Sequence, residues 1–526
     1  MIYEIGCSER VLRDFMGESN PLSFCDDIGY LDNFDLVRKS VYCSGFFEHQ
    51  LVGVAFCVSR DSCIIADDMG LGKTRSSAAA VLISKAMPCL VVCQSGMRGA
   101  WSNEIREIGF EGCVSLPENV YDIPDNADFV IVPYGRLATF RERLLEMKFQ
   151  GCIIDEAHSF KNRRSLYGER KEEVMENIKE GKKVRLHRTE VIFEVVKQIK
   201  KVICLSGTPV LSRPKELYNL LSLTRHSLAR NFIQFTTKYC NGHQTKWGWN
   251  SDGASNLLEL REKLHNHVLR RVKKYTIELK KKHIELVTLD LEGDALIKYT
   301  SAWDEYVSEI KRTKTSKKLR NILNAKHLVQ LNLLRQISSI AKVDWMIEKI
   351  VSSKEKFIVF SGYTETLKEI KAKLKDRGIK TCFYDGSVTE KKRDEAVNNF
   401  QNDPDVQVFI ANTIAAKTGI TLTKATKVYF LDLLWTPADH FQAEDRAYRI
   451  GQTEEVFVFY PVYRRTIEEK IWSMLNSKKS IISRIFDDGV VDNLEIDIGD
   501  DVVEEINAQI TAPVIQDIVF DREIVF

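Results

Sequence analysis

The chain contains 526 residues, of which 44% are hydrophobic and 29% are charged, and its formal net charge is +2. This length is too great for one hydrophobic core and predicts two large domains, while the composition is typical of a soluble globular protein. The near-zero net charge excludes a basic field over the whole surface. Any surface for nucleic acid therefore has to be local.

The cysteines and the N-terminus indicate the compartment. The 12 cysteines include no CxxC pair and several lie in apolar runs, which indicates buried, reduced thiols. The N-terminus lacks the apolar core of a signal peptide, and no apolar run approaches the roughly 20 residues that a membrane helix needs. We therefore expect an intracellular, soluble protein with no membrane partner: cytoplasmic or nucleoid-associated, or nuclear if the organism is eukaryotic.

In chain order, residues 1–41 are predicted to form a small N-terminal segment. From 42 to 225, short apolar runs alternate with helical stretches, a pattern typical of a doubly wound α/β lobe with a parallel sheet. A charged stretch at 163–187 interrupts this lobe and is predicted to be a surface insertion. The strands predicted here are 90–93, 129–132, 152–154 and 202–205.

The second half of the chain repeats this alternation. Residues 226–341 are predicted to be a helical, basic insertion region, and 342–478 a second α/β lobe. The tail, 479–526, is acidic and shows no catalytic pattern. Basic runs such as 270–274 are solvated surface more often than binding sites. The strands predicted in the second lobe are 357–360, 381–384, 406–411, 428–431 and 456–460.

Residues 67–74, with the sequence DDMGLGKT, follow an apolar run and open a small-residue helical stretch. A strand, a glycine turn and a helix N-terminus direct backbone N–H groups toward a phosphate chain. Lys73 is expected to reach the β and γ phosphates of a nucleotide, and Thr74 to ligate Mg²⁺. Asp67 stands where the general pattern has Gly, so this turn alone could be structural. The candidate contacts in this loop are Asp68, Met69, Gly70, Leu71, Gly72, Lys73 and Thr74.

Two adjacent acids, Asp155 and Glu156, follow the predicted strand 152–154. Asp155 is expected to hold Mg²⁺ through its water shell, and Glu156 to orient and deprotonate an attacking water. Two acids at the end of a buried strand are otherwise unfavourable unless a cation is present. Together with Lys73, this pair predicts an ATPase that uses Mg²⁺.

Two further motifs are less specific when taken alone. Ser206 and Thr208, in the sequence LSGTP, could simply cap the helix that follows. Gln442, Arg446 and Arg449 recur at i, i+4 and i+7, which predicts one helix face. Arginines on a helix face can be ordinary surface charge, but here they would supply the positive charge that phosphoryl transfer needs.

The chain resembles superfamily 2 helicase-type motors of the Swi/Snf family over roughly residues 42–475. The resemblance is carried by motifs in the family's order: Gln50, DDMGLGKT, DEAH, LSGTP and QAEDRAYRIGQ. Asp67 at the start of the loop is ordinary in that family. The resemblance implies an α/β fold of two RecA-like lobes with helical insertions, ATP between the lobes and duplex DNA across the cleft.

The resemblance also implies roles for individual residues. Gln50 would contact the adenine edge, Gly419 and Asp445 would contact nucleotide at the lobe interface, and Arg446 and Arg449 would be arginine fingers. The positions implied for DNA contact, or for coupling hydrolysis to it, are Lys161, Ser206, Thr208, Arg270, Arg271, Ser361 and Thr413.

A finer resemblance is to the annealing-helicase (HepA-related, HARP-like) subfamily. It is carried by the stretches 239–240, 248–249, 253–257, 415–419 and 443–446. Larger members of the family have extra modules, and the flanking regions here are too short to hold one. We therefore expect a pared-down, monomeric motor of viral or bacterial origin, and we do not expect nucleosome remodelling.

The leading interpretation is a DNA-stimulated ATPase that moves along duplex DNA by sequence-independent, salt-sensitive phosphate contacts. It would reanneal or remodel branched DNA, such as a replication fork under repair, or displace bound protein. The alternative is a strand-separating helicase for DNA or RNA, although no wedge element is identifiable in the sequence. A scaffold with an inactive motor is disfavoured, because every catalytic position holds a competent residue.

Overall fold

The computed structural model describes residues 28–160, 187–207, 213–246, 248–271, 273–276, 279–312, 317–417 and 420–486. The described residues up to Thr276 form one compact unit, and those from Leu279 to Ser480 form a second. Most of the predicted N-terminal segment 1–41 and acidic tail 479–526 lies outside the described residues. So does the charged insertion 163–187, except for His187.

The first unit contains a seven-stranded sheet with the strand order β3-β4-β2-β5-β6-β1-β9, and every pairing in it is parallel. Side chains of the four central strands are almost all buried, because helices cover both faces of the sheet. A separate antiparallel hairpin is formed by β7 and β8. The strands of this unit are β1 Ser62–Ile65, β2 Cys89–Cys93, β3 Val114–Ser115, β4 Phe129–Pro133, β5 Gly151–Ile154, β6 Lys201–Leu205, β7 His243–Thr245, β8 Gly248–Asn250 and β9 Val268–Leu269.

Helices alternate with these strands along the chain, as parallel strand pairing requires. The helix Lys73–Ile83 is rich in Ala and Ser and is buried along most of its length, which lets it pack closely against the sheet. The α-helices of this unit are Ile28–Arg38, Glu48–Val58, Lys73–Ile83, Arg98–Glu107, Leu137–Glu146, Arg188–Val196, Leu217–Leu223, Phe232–Tyr239, Leu257–Leu264 and Lys273–Thr276.

The second unit contains a six-stranded sheet with the order β10-β15-β14-β11-β13-β12, again with every pairing parallel. Its strands are β10 Lys282–Leu289, β11 Phe357–Ser361, β12 Lys380–Tyr384, β13 Val406–Asn412, β14 Lys427–Phe430 and β15 Val456–Tyr463. Its α-helices are Gly293–Arg312, Lys317–Ala341, Val343–Val351, Thr364–Asp376, Glu390–Asn402, Pro437–Glu444 and Ile467–Phe486.

The predicted class is confirmed: both units are α/β with parallel sheets, and each predicted strand coincides with an observed one. The region 226–341, predicted to be helical and basic, also contains strands. This region supplies β9 to the first sheet, β10 to the second, and the β7–β8 hairpin. Strands of two or three residues are too short to show the alternation of apolar and polar side chains that identifies a strand. In addition, β10 is an edge strand with exposed side chains. The domain boundaries themselves stay predictions.

Within the described part of the chain, no helix is both long and apolar enough to span a membrane.

Candidate nucleotide site

The glycine loop lies between β1 and the helix Lys73–Ile83, as the sequence predicts. Gly70 and Gly72 have φ angles of 79° and 82°, a left-handed conformation that favours glycine. A Cβ on Gly72 would also overlap the side-chain amide of Gln50. Gly72 is therefore needed both for its backbone conformation and for the close approach of the helix that carries Gln50.

Lys73 is the first residue of its helix, and its ammonium group lies within the loop. It donates to the backbone carbonyls of Asp67 at 2.7 Å and Asp68 at 3.0 Å. The end of β6 is nearby, since a Cβ on Gly207 would lie 3.6 Å from Lys73 Nζ and 2.7 Å from Met69 Cγ. The loop thus places one cation and the N-terminus of a buried helix at the same point, which suits a phosphate chain.

The strands β1, β6 and β5 are neighbours in the sheet, so their carboxyl ends lie along one edge. This edge carries the glycine loop after β1, Ser206 after β6 and the acid pair after β5. Asp155 Oδ2 accepts a hydrogen bond from Trp101 Nε1 at 2.9 Å, and its Oδ1 accepts from the Glu156 amide at 3.0 Å. Burial, and then the Glu156 charge, raises the pKa of Asp155 to about 6, against the opposing effects of Trp101 and Lys73.

Glu156 lies at the turn after Asp155 with a φ angle of 45°, which is uncommon for a residue with a side chain. Its Oε2 is 3.3 Å from His158 Nδ1, and the same nitrogen is 3.1 Å from Ser206 Oγ. A chain of short polar contacts therefore links the acid pair to the turn that follows β6. This arrangement fits the coupling role expected of Ser206, which is itself fully buried.

Mg²⁺ would fit the oxygen donors at this edge. Asp155 is a partly buried carboxylate next to a second acid, and a cation would offset the burial and the repulsion that raise its pKa. Among the described residues, no group of three or more His, Cys, Asp and Glu side chains could hold a metal ion. Mg²⁺ is usually held by one or two carboxylates, waters and substrate phosphates.

Gln50 lies in the first turn of the helix Glu48–Val58 and is buried. Its Oε1 accepts from the Phe47 amide at 3.1 Å, and its amide nitrogen faces Gly72. The neighbouring His49 Nε2 is 3.0 Å from the Leu71 carbonyl, and burial, together with Arg271, lowers the pKa of His49 to about 4. This helix is therefore joined to the glycine loop, while the adenine contact expected of Gln50 stays a prediction.

Arg270 and Arg271 were expected to contact DNA or to couple hydrolysis to it, and their side chains are not placed for a DNA contact. Both are buried and paired with acids of the loop: Arg270 with Asp68, and Arg271 with Asp67. Burial alone would raise the pKa of Asp68, but Arg270, the Lys273 amide and nearby lysines outweigh it and lower that pKa. Two arginines of the basic run 270–274 thus form internal ion pairs.

The predicted helix face with Gln442, Arg446 and Arg449 is wrong in its geometry. The helix Pro437–Glu444 ends before both arginines, because the Arg446 amide donates to the carbonyl of Ala443, three residues back, at 3.1 Å. Arg446 Nε still donates to the Gln442 carbonyl at 3.0 Å, and Arg449 donates to the Ile420 carbonyl at 3.2 Å. Burial lowers the pKa of Arg449.

These residues and Asp445 belong to the second unit, whereas Lys73 and the acid pair belong to the first. The roles expected of Gln442, Asp445, Arg446 and Arg449 in hydrolysis stay predictions.

Ser361 and Thr413 are also buried, at the ends of β11 and β13. Ser361 Oγ donates to Asp432 Oδ2 at 2.6 Å, and the Thr413 amide donates to the Ser361 carbonyl at 3.1 Å. Their side chains face the interior of the second unit, so a direct side-chain contact with DNA is not supported, and coupling stays a prediction. Three more predicted positions, Lys161, Thr208 and Gly419, lie outside the described residues.

Sequence reasoning missed three contributions to this site. Trp101 holds Asp155 from a position 54 residues away, and His158 joins Glu156 to Ser206. Asp67 and Arg271 form a buried pair across 204 residues. The partners Trp101 and Asp155, and Asp67 and Arg271, are far apart in sequence, so no local pattern predicts these contacts. They become neighbours only through the order of the strands in the sheet.

The parallel sheet, the glycine loop with its lysine and the neighbouring acid pair together define an α/β protein of the phosphate-loop class. Comparison with known families is more specific. The SNF2-related domain matches residues 49–176 and 171–341, and the helicase conserved C-terminal domain matches 341–451. The chain belongs to the SNF2-related family. The predicted resemblance to Swi/Snf motors is confirmed.

Individual relatives are similar over most of this chain. The mouse (Mus musculus) protein "DNA annealing helicase and endonuclease ZRANB3" is 29% identical, over 82% of this chain and 40% of its own length. A Drosophila melanogaster protein, "SWI/SNF-related matrix-associated actin-dependent regulator of chromatin subfamily A-like protein 1", is 30% identical, over 82% of this chain and 55% of its own length. The chain thus spans about half the length of these relatives, and the finer resemblance to annealing helicases is confirmed as a similarity.

Among solved structures, the Sulfolobus solfataricus SWI2/SNF2 ATPase core in complex with dsDNA has 24% sequence identity and a TM-score of 0.39. The alignment covers 85% of this chain and 94% of that one.

Proposed function

We propose that this chain is an ATP-dependent DNA translocase of the Swi/Snf type, which couples ATP hydrolysis to movement along duplex DNA. The observation that supports the proposal is that Lys73, Asp155 and Glu156 lie along one edge of the sheet. The chain also belongs to the SNF2-related family. A lysine in a glycine loop and two acids at a neighbouring strand end form the arrangement that phosphate-loop nucleotide hydrolases use.

Each side chain has a separate part in the proposed reaction. Lys73 balances the charge of the ATP phosphates, and the glycine loop contributes backbone N–H groups. Thr74 and Asp155 would hold Mg²⁺, which when bound supplies positive charge beside the phosphates. Glu156 orients the attacking water and takes its proton, and His158 Nδ1 lies 3.3 Å from the Glu156 carboxylate.

The proposed partner is double-stranded or branched DNA, and the names of the relatives support this choice. Contacts of a translocase are made to phosphates rather than to bases, so binding is independent of sequence and weakens steeply with salt. We further propose that the chain acts as a monomer inside the cell, and that its activity is the reannealing or remodelling of branched DNA.

The proposal is tested by measuring the ATPase rate of the purified chain with duplex DNA, single-stranded DNA, forked DNA and RNA of matched length. Duplex or forked DNA is expected to stimulate hydrolysis more than RNA or single strands do. Stimulation by RNA alone would contradict the proposal, and so would equal rates with and without any nucleic acid.

Two variants assign the hydrolysis to this site. Lys73→Ala is expected to weaken nucleotide binding and abolish turnover, because the loop loses its cation. Glu156→Gln keeps the shape of the side chain but not the base, so ATP should still bind while the rate falls about 10²–10⁴-fold. Near-normal turnover by Glu156→Gln would show that another residue activates the water.

A further inference from the structure

Two arginines at the end of β9 lie beside two aspartates at the start of the glycine loop. The strands β1 and β9 are paired in parallel, with Ile64 opposite Val268 and Ile65 opposite Leu269. The pairing continues past both strands, since the Asp68 amide donates to the Arg271 carbonyl at 3.0 Å. Residues 67–68 and 270–271 therefore run side by side, although about 200 residues separate them in sequence.

Arg271 contacts two parts of the site with one guanidinium group. Its Nε donates to Asp67 Oδ1 at 3.0 Å, and a second nitrogen donates to Asp67 Oδ2, which makes the pair bidentate. The remaining terminal nitrogen donates to the backbone carbonyl of His49, next to Gln50. Arg271 is 8% exposed and Asp67 1% exposed, so this pair is shielded from water.

Arg270 holds the other aspartate and the end of a further strand. It pairs with Asp68 Oδ1 at 2.8 Å and donates to the carbonyls of Ala66 at 2.7 Å and Gly207 at 3.3 Å. Asp68 Oδ2 accepts from the Lys273 amide at 2.8 Å. One side chain thus ties the start of the glycine loop to the turn after β6.

The surrounding chain leaves room for the Arg271 guanidinium. A Cβ added to Gly53, in the helix that carries Gln50, would lie 2.9 Å from a terminal nitrogen of Arg271. That distance is below the separation that real Cβ atoms keep. Glycine at this position in the middle of a helix is unfavourable for helix formation, and the space it leaves is occupied by the arginine.

We propose that Arg270 and Arg271 are positioning residues for the nucleotide-binding loop. They neutralise the two carboxylates at the start of the loop, and Arg271 also fixes the position of the loop relative to the helix that carries Gln50. Without the arginines, two negative charges would lie next to the phosphates of a bound nucleotide and repel them. A loop that began with Gly would need no such partner. The inference rests on the proposed ATP site.

The test compares Arg271→Gln with Arg213→Gln, because Arg213 also forms a buried ion pair in the first unit, with Asp252. Nucleotide affinity is measured by titrating a fluorescent ATP analogue with Mg²⁺, at a temperature where circular dichroism shows that both variants are folded. Arg271→Gln is expected to weaken binding about 10- to 100-fold, the usual effect of removing a partner that orients a ligand-binding group. Arg213→Gln should bind as the unmodified chain does.

Rescue separates positioning from a general loss of stability. Asp67→Asn combined with Arg271→Gln removes both charges and leaves two amides that can bond to each other, so nucleotide affinity should recover most of the loss. Arg271→Lys keeps the charge but cannot form the bidentate pair with Asp67, so its affinity for nucleotide should be intermediate. If Arg271→Gln does not fold, Arg271→Lys still tests the inference, which fails if this variant binds nucleotide as the unmodified chain does.

Two other outcomes would overturn the inference in different ways. If Arg271→Gln binds nucleotide normally but binds duplex DNA more weakly, with a reduced dependence on salt, the arginine contacts phosphates of DNA instead. If the unmodified chain does not bind the ATP analogue at all, the proposed function itself fails.

Discussion

At the scale of single residues, the two adjacent acids of the site have different surroundings. Asp155 is partly buried, accepts the Trp101 indole N–H and has its pKa raised to about 6, first by burial and then by the Glu156 charge. Glu156 is at the turn, beside His158. These environments fit one acid that holds a cation and a second that meets water. The sequence shows that the two acids are adjacent at a strand end, but it does not reveal the indole that donates a hydrogen bond to Asp155.

The indole gives a prediction about Mg²⁺. Trp101→Phe keeps the aromatic volume but removes the hydrogen bond to Asp155, so the carboxylate should no longer be held in one orientation. We expect the Mg²⁺ concentration for half-maximal ATPase activity to rise about tenfold, in line with other losses of outer-shell partners. The measurement is a Mg²⁺ titration at saturating ATP, together with nucleotide binding in EDTA, which should not change.

The chain offers a matched control for this variant. Trp249 also donates its indole N–H, to Thr236 Oγ1 at 3.0 Å, but it lies on the β7–β8 hairpin. Trp249→Phe should leave the Mg²⁺ requirement unchanged. An equal rise for both variants would mean that Trp101 contributes only to general stability.

At the scale of elements, most strands of both sheets could be predicted because they are short apolar runs buried on both faces. Two features could not be predicted. The two-residue β9 has no period of its own, and it carries Arg270 and Arg271 toward the loop rather than toward a surface. The helix Pro437–Glu444 ends at Glu444, and the buried carboxylate of this residue accepts hydrogen bonds from Lys282 and Tyr460.

The segment before β9 gives a prediction about acid stability. His267 and His226 are packed with ring centroids 4.7 Å apart, and His267 Nε2 is 2.7 Å from Thr224 Oγ1. Burial, then His226 and Arg60, lowers the pKa of His267 to about 3, and burial also lowers that of His226. The unfolded chain has a histidine pKa of about 6.5. Lowering the pH through 6.5 therefore protonates the unfolded state first and destabilises the fold.

We expect protonation linked to His267 to lower the free energy of unfolding by about 2 kcal/mol between pH 7.5 and pH 5.0. Each pH unit below the pKa of the unfolded chain contributes about 1.4 kcal/mol. His267→Gln cannot be protonated, so its melting temperature should fall less over this range than that of the unmodified chain. His243 is exposed, and His243→Gln serves as the control. A pH dependence that is the same in all three proteins would exclude His267 as its source.

At the scale of the whole molecule, the family assignment and the charge of the chain point to the same mode of action. A net charge of +2 over 526 residues provides no general attraction for DNA, so the DNA binding that we propose depends on local contacts to phosphates. Such contacts follow the backbone of a duplex without selecting bases. A motor that grips in this way can move along DNA without separating its strands.

This argument leads to a prediction about substrates. Separating strands costs about 1.4 kcal/mol per base-pair step, and contacts to phosphates alone do not supply this energy. We therefore expect the chain to displace a third strand from a triplex and to reanneal or migrate the branch of a fork, in each case with ATP. A plain duplex with a single-stranded tail should stay intact.

The assay compares triplex, fork and tailed duplex of matched length on native gels, with Glu156→Gln as the control that binds ATP without hydrolysing it. Activity on triplex and fork that disappears in the control would support translocation. Efficient opening of the tailed duplex, with triplex and fork unchanged, would instead support the strand-separating alternative. The β7–β8 hairpin would then be the first candidate for the wedge, although each of its strands has only 3 residues. Shortening that hairpin should in that case abolish unwinding but leave DNA-stimulated ATP hydrolysis intact.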